Sequence, residues 1–298
     1  MATWSLGPIT VTRIEELLGP ANVPPDQYLL GYDRALVDRH RDWLVPNHYA
    51  PAQDRLVTSI HAWLIRTGWH TILLDCCAGN HKNRPFSPRF HRLETPFLER
   101  LAAAGARPED IDIVLCTHLH ADHVGWNTVL KDGAWVPTFP RARYLFSRTE
   151  SLYWDATQNP AMRSDPRREA YDDSVLPVVA RGQAELVDGA HALDDGITIE
   201  PAPGHTPGHV MLKIAAAGAH GVFCGDAIHH PLQVYAPHWN HAADEQPAEA
   251  ALTRRRVLEH CAERQAWLFP THFGAPHVVV IKDAPDGFAA RFIAGRDG

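Results

Sequence analysis

Four short apolar segments of this chain end in the same way, with a histidine or an aspartate following at once or after a short turn. The segments and the side chains that follow them are 111–117 with His118, 197–200 with His205, 221–225 with Asp226, and 266–271 with His272. Short apolar runs bounded by turn residues are typical of buried strands. Binding groups concentrate where a rigid strand passes into a loop. Helical patterns at 148–158, 165–180 and 246–264 lie between these segments and predict an α/β fold with helices flanking a sheet.

The first fifty residues have a different pattern. Ile14, Leu17 and Leu18 have the spacing of a short helix, and a stretch rich in proline and aromatic residues follows them. We therefore predict that residues 1–55 form an N-terminal extension packed on a main domain of residues 56–298. The extension could cap a pocket or form a dimer contact, and the sequence leaves both open.

Composition excludes several classes of protein. Five cysteines are an odd number, and Cys76 and Cys77 are adjacent, so neither a disulfide framework nor a thiolate metal site is predicted. A net charge of −7 argues against a nucleic-acid surface. The basic run of Arg254, Arg255 and Arg256 has helical surroundings and is interpreted as a solvated helix face. Without a leader-like start or a long apolar run, we expect a cytoplasmic protein that does not cross a membrane.

The densest group of metal-binding side chains is the sequence His-Leu-His-Ala-Asp-His at 118–123, in a chain with 20 histidines. In an extended segment His118 and His120 point the same way, because side chains two apart share a face. If the chain then turns into a helix, Asp122 and His123 lie at its N-terminus and approach the same cavity from another direction. Such a geometry favours two metal ions. Imidazoles and carboxylates without a thiolate favour zinc, and less specifically iron, manganese or cobalt.

This HxHxDH motif resembles the signature of the metallo-β-lactamase superfamily, and three further segments follow in that family's order. They are Gly-His-Thr-Pro-Gly-His at 204–209, Gly225 with Asp226, and Thr271 with His272. The resemblance covers about residues 56–275. It implies an αββα sandwich, in which two mixed sheets pack together and helices cover both outer faces, and it makes residues 56–298 a hydrolase domain.

The resemblance also implies a ligand set of seven residues. One metal ion is held by His118, His120 and His205, the other by Asp122, His123 and His272, and Asp226 bridges both. His209 is then left to support the site or to pack. Asp75, at the end of the run Leu73-Leu74-Asp75, resembles the aspartate that orients a metal-bound histidine in this family.

Two bound cations lower the pKa of a shared water and provide a bridging hydroxide, while Asp122 is placed to pass a proton to the leaving group. The predicted reaction is hydrolysis of an ester or lactone. Within the superfamily the chain resembles the branch of quorum-quenching lactonases and organophosphate or aryl-ester hydrolases. His229 stands three residues after Asp226, where the lactonases carry tyrosine and the organophosphate hydrolases carry histidine. We hypothesise that His229 orients or polarises the substrate; a structural role is the alternative.

The predicted partner is a small-molecule ester or lactone, with no nucleic acid and no membrane, and a homodimer stays open. Candidates for a pocket wall, or else for packing, are Trp126, Asn127, Phe86 and the segment 232–241 with Tyr235 and Trp239. Three other reactions or roles remain. They are organophosphate triester or phosphodiester cleavage, glutathione thioester hydrolysis, and metal binding without catalysis. The complete ligand set argues against the last of these.

Overall fold

The computed structural model describes residues 2–297, which divide into two compact units. The first unit comprises residues 2–16, Ile60–His191 and residue 297. The second comprises Leu17–Ser59 and Ala192–Arg296. Each unit contains most of one large sheet together with helices, which confirms the predicted α/β class.

The secondary-structure elements have the following bounds in chain order. The strands are β1 (Ala2–Leu6), β2 (Ile9–Pro20), β3 (Leu29–Leu30), β4 (Tyr49–Ala50), β5 (Arg55–Arg66), β6 (Thr71–Leu74), β7 (Ile113–Leu115), β8 (Thr128–Lys131), β9 (Ala134–Pro137), β10 (Arg143–Ser147), β11 (Ala184–Val187), β12 (His191–Asp194), β13 (Ile197–Pro201), β14 (Val210–Ala216), β15 (Ala219–Gly225), β16 (Asn240–His241), β17 (Trp267–Pro270), β18 (Val278–Ala284), β19 (Gly287–Ile293) and β20 (Arg296–Asp297). The α-helices are α1 (Pro25–Tyr28), α2 (Arg34–Arg39), α3 (Arg41–Leu44), α4 (Phe97–Ala103), α5 (Ala121–Val124), α6 (Arg148–Trp154), α7 (Glu169–Ser174), α8 (Leu176–Ala180), α9 (Leu232–Tyr235) and α10 (Pro247–Arg264).

The first large sheet has the strand order β11-β10-β7-β6-β5-β2-β1-β20, with β4 paired to β5. It is a mixed sheet. Strand β6 pairs parallel with β7, β7 with β10, and β10 with β11, whereas β5 and β6 are antiparallel. Leu74 at the end of β6 pairs with Leu115 at the end of β7. Because the carboxyl ends of parallel strands lie at the same edge, the residues that follow these two strands become neighbours.

The second large sheet has the strand order β12-β13-β14-β15-β17-β18-β19 and is also mixed. Strands β15 and β17 are parallel, and Gly225 pairs with Pro270. Asp226 and His272 therefore leave the sheet at the same edge. The antiparallel pair β13 and β14 joins Pro201 to Val210, so the segment carrying His205 forms the connection between them.

The predicted helix at Ile14 to Leu18 is wrong, because these residues lie in strand β2. The side chains of Ile9, Val11 and Ile14 in this strand are buried. Strand β2 pairs antiparallel with β1, with Leu6 opposite Ile9. The β-branched residues at the start of the segment favour a strand, and pairing with a neighbouring strand decides the conformation. The predicted boundary at residue 55 stays a prediction.

The solvated-face interpretation of the arginine run is wrong for Arg254. The side chain of Arg254 is 0% exposed, whereas that of Arg255 is 63% exposed. Ala250, Arg254 and Leu258 follow one another at intervals of four, so they share the buried stripe of α10. The predicted helix at 246–264 is itself confirmed. Among residues 2–297, no helix is long and apolar enough to cross a membrane.

Candidate metal centre

The first unit places Asp75 beside Thr117, directly after the parallel strands β6 and β7. Asp75 has a left-handed backbone, with φ of 58°, which turns the chain sharply at the end of β6. The Thr117 N–H donates to Asp75 Oδ1 over 2.8 Å, and the Thr117 hydroxyl donates to the same carboxylate over 3.1 Å. This buried carboxylate thus anchors the start of the histidine motif.

The motif residues then lie together within the first unit. His118 Nε2 is 3.0 Å from His120 Nδ1, and the rings of His118 and His123 have centroids 4.0 Å apart. His120 precedes α5, which carries Asp122 and His123, and Asp122 Oδ1 lies 3.9 Å from His123 Nε2. The predicted change from extended segment to helix is therefore present.

Polar contacts of this group bear on the orientation of two imidazoles. His123 Nδ1 lies 3.0 Å from Asp75 Oδ2, at ion-pair distance. His118 Nδ1 lies 3.1 Å from the Thr117 hydroxyl oxygen, whose own proton goes to Asp75. In a neutral ring the Nε2 atom of His118 then presents a lone pair. Metal-binding histidines characteristically donate their other N–H to a carboxylate or a similar acceptor.

Glu16 on strand β2 connects the loop after β6 to Trp126, which follows the histidine motif. Glu16 accepts the N–H groups of Ala78 over 2.7 Å and Gly79 over 3.1 Å, and the indole N–H of Trp126 over 2.6 Å. Gly79 has φ of +78°, and a Cβ placed on Gly125 would lie 1.8 Å from the Ala78 carbonyl oxygen. The two backbones therefore touch at a distance that only glycine permits.

In the second unit three imidazoles meet one carboxylate. The Nε2 atoms of His205, His229 and His272 lie 3.3, 3.0 and 3.0 Å from the oxygens of Asp226. All four side chains are buried. The N–H of Asp226 donates to His209 Nε2 over 2.9 Å, so His209 supports the backbone that carries this carboxylate.

The donor set of the second unit fits a divalent cation. His272 Nδ1 lies 2.9 Å from the Ser59 carbonyl oxygen, which can only accept, and His205 Nδ1 lies 2.8 Å from Asp244 Oδ1. With each ring neutral, both Nε2 atoms present lone pairs to the Asp226 carboxylate. Lone pairs and a carboxylate repel one another unless a cation lies among them, and this combination of ligands suits zinc.

His229 occupies a distinctive position in the second unit. Its ring stacks on that of His241 with centroids 3.9 Å apart, and its backbone N–H donates to Gln233 Oε1 over 2.7 Å. Burial lowers the pKa of His229 well below its usual range, and the neighbouring His241 lowers it further. The residue predicted as catalytic is therefore a neutral imidazole beside Asp226.

Two residues around these groups escape sequence reasoning: Asp244 bonds to His205, and Arg254 bonds to Asp244. Only Arg254 has a local signal, since it lies on the apolar stripe of its helix. His241, at the end of the predicted pocket-wall segment 232–241, stacks on His229. Of the predicted pocket aromatics, Trp126 and Trp239 are each 4% exposed and pack within their own units. Their burial favours the packing role over a role in a pocket wall.

The comparisons with known proteins identify the family. The model of the metallo-β-lactamase superfamily matches residues 55–272. The chain therefore belongs to the metallo-β-lactamase superfamily, as its HxHxDH motif indicated, and the predicted fold class is confirmed. Members of this superfamily bind divalent metals, in agreement with the groups of histidine and aspartate in the second unit that could hold a metal ion.

Curated relatives match over parts of the chain. An N-acyl homoserine lactonase of Bacillus cereus is 29% identical over 114 residues, which are 38% of this chain and 37% of that protein. A hydroxyacylglutathione hydrolase of Aeromonas hydrophila is 29% identical over 168 residues, which are 56% of this chain and 46% of that protein. The chain thus spans less than half the length of these relatives.

Solved structures match over nearly the whole chain. The hydrolase AbOPH of the β-lactamase superfamily has a TM-score of 0.82 at 23% identity, covering 99% of this chain and 98% of its own. The dizinc quorum-quenching lactonase AidC, solved with a product, has a TM-score of 0.77 at 20% identity, with 99% and 98% covered. At these identities the likeness shows a shared fold.

Proposed function

We propose that this chain is a dinuclear metal-dependent hydrolase of esters and lactones. The observation that carries the proposal is the meeting of the buried His205 and His272 Nε2 atoms at the Asp226 carboxylate, within 3.0–3.3 Å, in rings whose Nδ1 atoms are already bonded. A neutral imidazole does not gain from facing a carboxylate with its lone pair, whereas a bound cation stabilises both. Superfamily membership supports the same interpretation.

The proposed ligands follow the family motif position by position. They are His118, His120 and His205 for one ion, Asp122, His123 and His272 for the other, and Asp226 for both. The donors are imidazoles and carboxylates, so zinc is the proposed metal, with iron, manganese and cobalt as alternatives. The ion-pair contact of Asp75 with His123 and the hydrogen bond of Asp244 with His205 are of the kind that orient metal ligands.

When bound, two cations supply Lewis acidity and lower the pKa of a water molecule between them. The residues of the chain provide the rest of the chemistry. Asp122 is partly exposed and can carry a proton to the leaving oxygen. His229 is neutral, so it can donate one hydrogen bond to a carbonyl or phosphoryl oxygen without adding a charge.

The proposed substrate is an ester or lactone, because the family resemblance is to the lactonase and aryl-ester hydrolase branch. Relatives that carry the name lactonase support this choice. Organophosphate triesters are the second candidate, favoured by one observation: a histidine, His229, faces Asp226 where the lactonases have tyrosine. The acidic charge of the chain, −7, speaks against nucleic-acid phosphodiesters.

The test is a metal count and an activity panel on one preparation. The protein is purified without chelator, and metals per chain are measured by elemental analysis. The same sample is assayed on an aryl ester, an acyl-homoserine lactone, an aryl phosphotriester and a bis-aryl phosphodiester. We expect about two metals per chain, as the ligand set implies, and ester or lactone turnover that chelator abolishes.

Each alternative has a distinct result. Turnover of the phosphotriester alone would support the organophosphate candidate, and turnover of the phosphodiester alone would overturn the substrate class. Two metals without any turnover would favour a metal-binding protein. Less than one metal under replete conditions would overturn the ligand assignment.

A further inference from the structure

Arg254 is a fully buried arginine on α10 that binds three separate segments of the second unit. Its Nε donates to the Ala227 carbonyl oxygen over 2.9 Å, directly after Asp226. Its Nη1 donates to the Trp239 carbonyl oxygen over 2.7 Å, and Nη2 lies 3.2 Å from Asp244 Oδ2. A planar guanidinium directs these donors in fixed directions, as a lysine could not.

Asp244 connects this arginine to a proposed metal ligand. Its Oδ1 accepts from His205 Nδ1 over 2.8 Å, and its Oδ2 accepts from the His241 N–H over 2.9 Å as well as from Arg254. His205, His229, His241 and Asp244 bring donor atoms within 4.8 Å of one another and could be taken for a separate metal site. Both oxygens of Asp244 are already bonded, however, so this carboxylate supports His205 instead.

We infer that Arg254 and Asp244 form a positioning pair that holds His205 with its Nε2 toward Asp226 and ties it to the strand carrying His241. This inference rests on the proposed function, since His205 is a proposed metal ligand. Arg254 and Asp244 act through His205, so they are positioning residues. The pair also links Ala227 and Trp239 on either side of α9, which fixes the segment that carries His229.

The charges of the pair explain why both partners are needed. Asp244 draws the Nδ1 proton of His205 and thereby makes Nε2 a better donor to a metal. A buried carboxylate without a counter-charge is strongly unfavourable, and Arg254 supplies that counter-charge. In Asp244→Asn the amide NH₂ must face either Arg254 or His205, both of which donate. The substitution therefore disturbs His205 at nearly constant volume.

The experiment measures zinc affinity of the metal-free full chain by competition with a chromophoric chelator. We expect Asp244→Asn and Arg254→Met to weaken zinc binding by about 10- to 100-fold. The matched control is Arg255→Met, whose arginine is the next residue on the same helix but exposed; its zinc affinity should stay within about twofold of wild type, as for surface changes generally. Cobalt-substituted Asp244→Asn should also show an altered visible spectrum, which a purely structural role would not produce.

A double variant, Arg254→Met with Asp244→Leu, covers the case in which a single variant does not fold. Replacing both partners of a buried pair with apolar residues is generally tolerated, and this variant should fold yet still bind zinc weakly. Wild-type zinc affinity and an unchanged cobalt spectrum in a folded variant would overturn the inference alone. Failure of the unaltered chain to bind zinc, iron, manganese or cobalt would overturn the proposed function, and the inference with it.

Discussion

His123 Nδ1 lies 3.0 Å from Asp75 Oδ2, and both side chains are buried in the first unit. Asp75 also accepts two hydrogen bonds from Thr117, so one carboxylate orients two parts of the motif. In Asp75→Asn one oxygen remains and the negative charge is lost, so the amide cannot serve both Thr117 and His123 as the carboxylate does. We expect zinc affinity, measured by chelator competition, to fall about 10- to 100-fold.

The matched control for this prediction is Asp112→Asn. Asp112 lies in the same unit and accepts the Thr71 N–H over 2.9 Å, but it contacts none of the motif residues through this bond. Its substitution should leave zinc affinity unchanged. Equal zinc affinities of Asp75→Asn and wild type would show that Asp75 has no part in orienting His123.

Asp226→Ala tests the bridging assignment. Three imidazoles face this carboxylate, so its loss should disturb both metals at once and reduce the metal content of the purified protein well below two per chain. Elemental analysis measures this directly. Asp283→Ala, in an exposed position of the second unit, is the control and should keep full metal content. Retention of two metals in Asp226→Ala would refute the bridging role.

His229→Ala separates a role at the substrate from a role in the site's structure. If His229 donates to the substrate oxygen, kcat/KM on the best ester or lactone should fall by about 10²-fold or more while metal content is kept. The exposed His238→Ala is the control. Unchanged kcat/KM in His229→Ala would leave His229 as a packing residue against His241.

Lys82 gives a prediction about pH and stability. Its Nζ donates to the Thr128 hydroxyl over 2.6 Å and lies 3.5 Å from Asp173, yet burial lowers the pKa of Lys82 to about 7. Between about pH 7 and the ordinary lysine value near 10.5, the unfolded chain binds a proton that the folded chain does not. The free energy of unfolding should therefore rise with pH in this window.

Comparison with Lys82→Met isolates this contribution. Denaturant titrations give the free energy of unfolding of wild type and of Lys82→Met. The wild-type value minus the Lys82→Met value should increase from pH 7 to pH 10. Below pH 7 the difference should become constant, because both states are then protonated. A difference that is flat from pH 7 to pH 10 would contradict the lowered pKa.

Much of the arrangement of candidate ligands within each unit could be predicted from local sequence. Buried strands end where apolar runs end, and parallel neighbours bring the following residues to one edge, as for Asp226 and His272. The change from strand to helix at His120 is likewise encoded within a few residues. These features depend on patterns that lie close together in the chain.

Other features depend on tertiary contacts and could not be predicted in this way. Strand β2 has a mixed pattern that also fits a helix, and pairing with β1 decides between them. Asp244 lies in a loop with no motif, and only the folded chain brings it to His205. Arg254 belongs to a run of three arginines, of which the helix buries one.

The contact between Gly79 and Gly125 limits how this scaffold can be diversified. Any side chain at Gly125 would collide with the backbone of Ala78, and Gly79 lies in a left-handed conformation against Gly125. In random libraries that include these positions, most variants would carry a larger side chain there. Such variants could not form the close backbone contact between Gly79 and Gly125. Sequence variation of this scaffold should keep both glycines and be introduced at other positions.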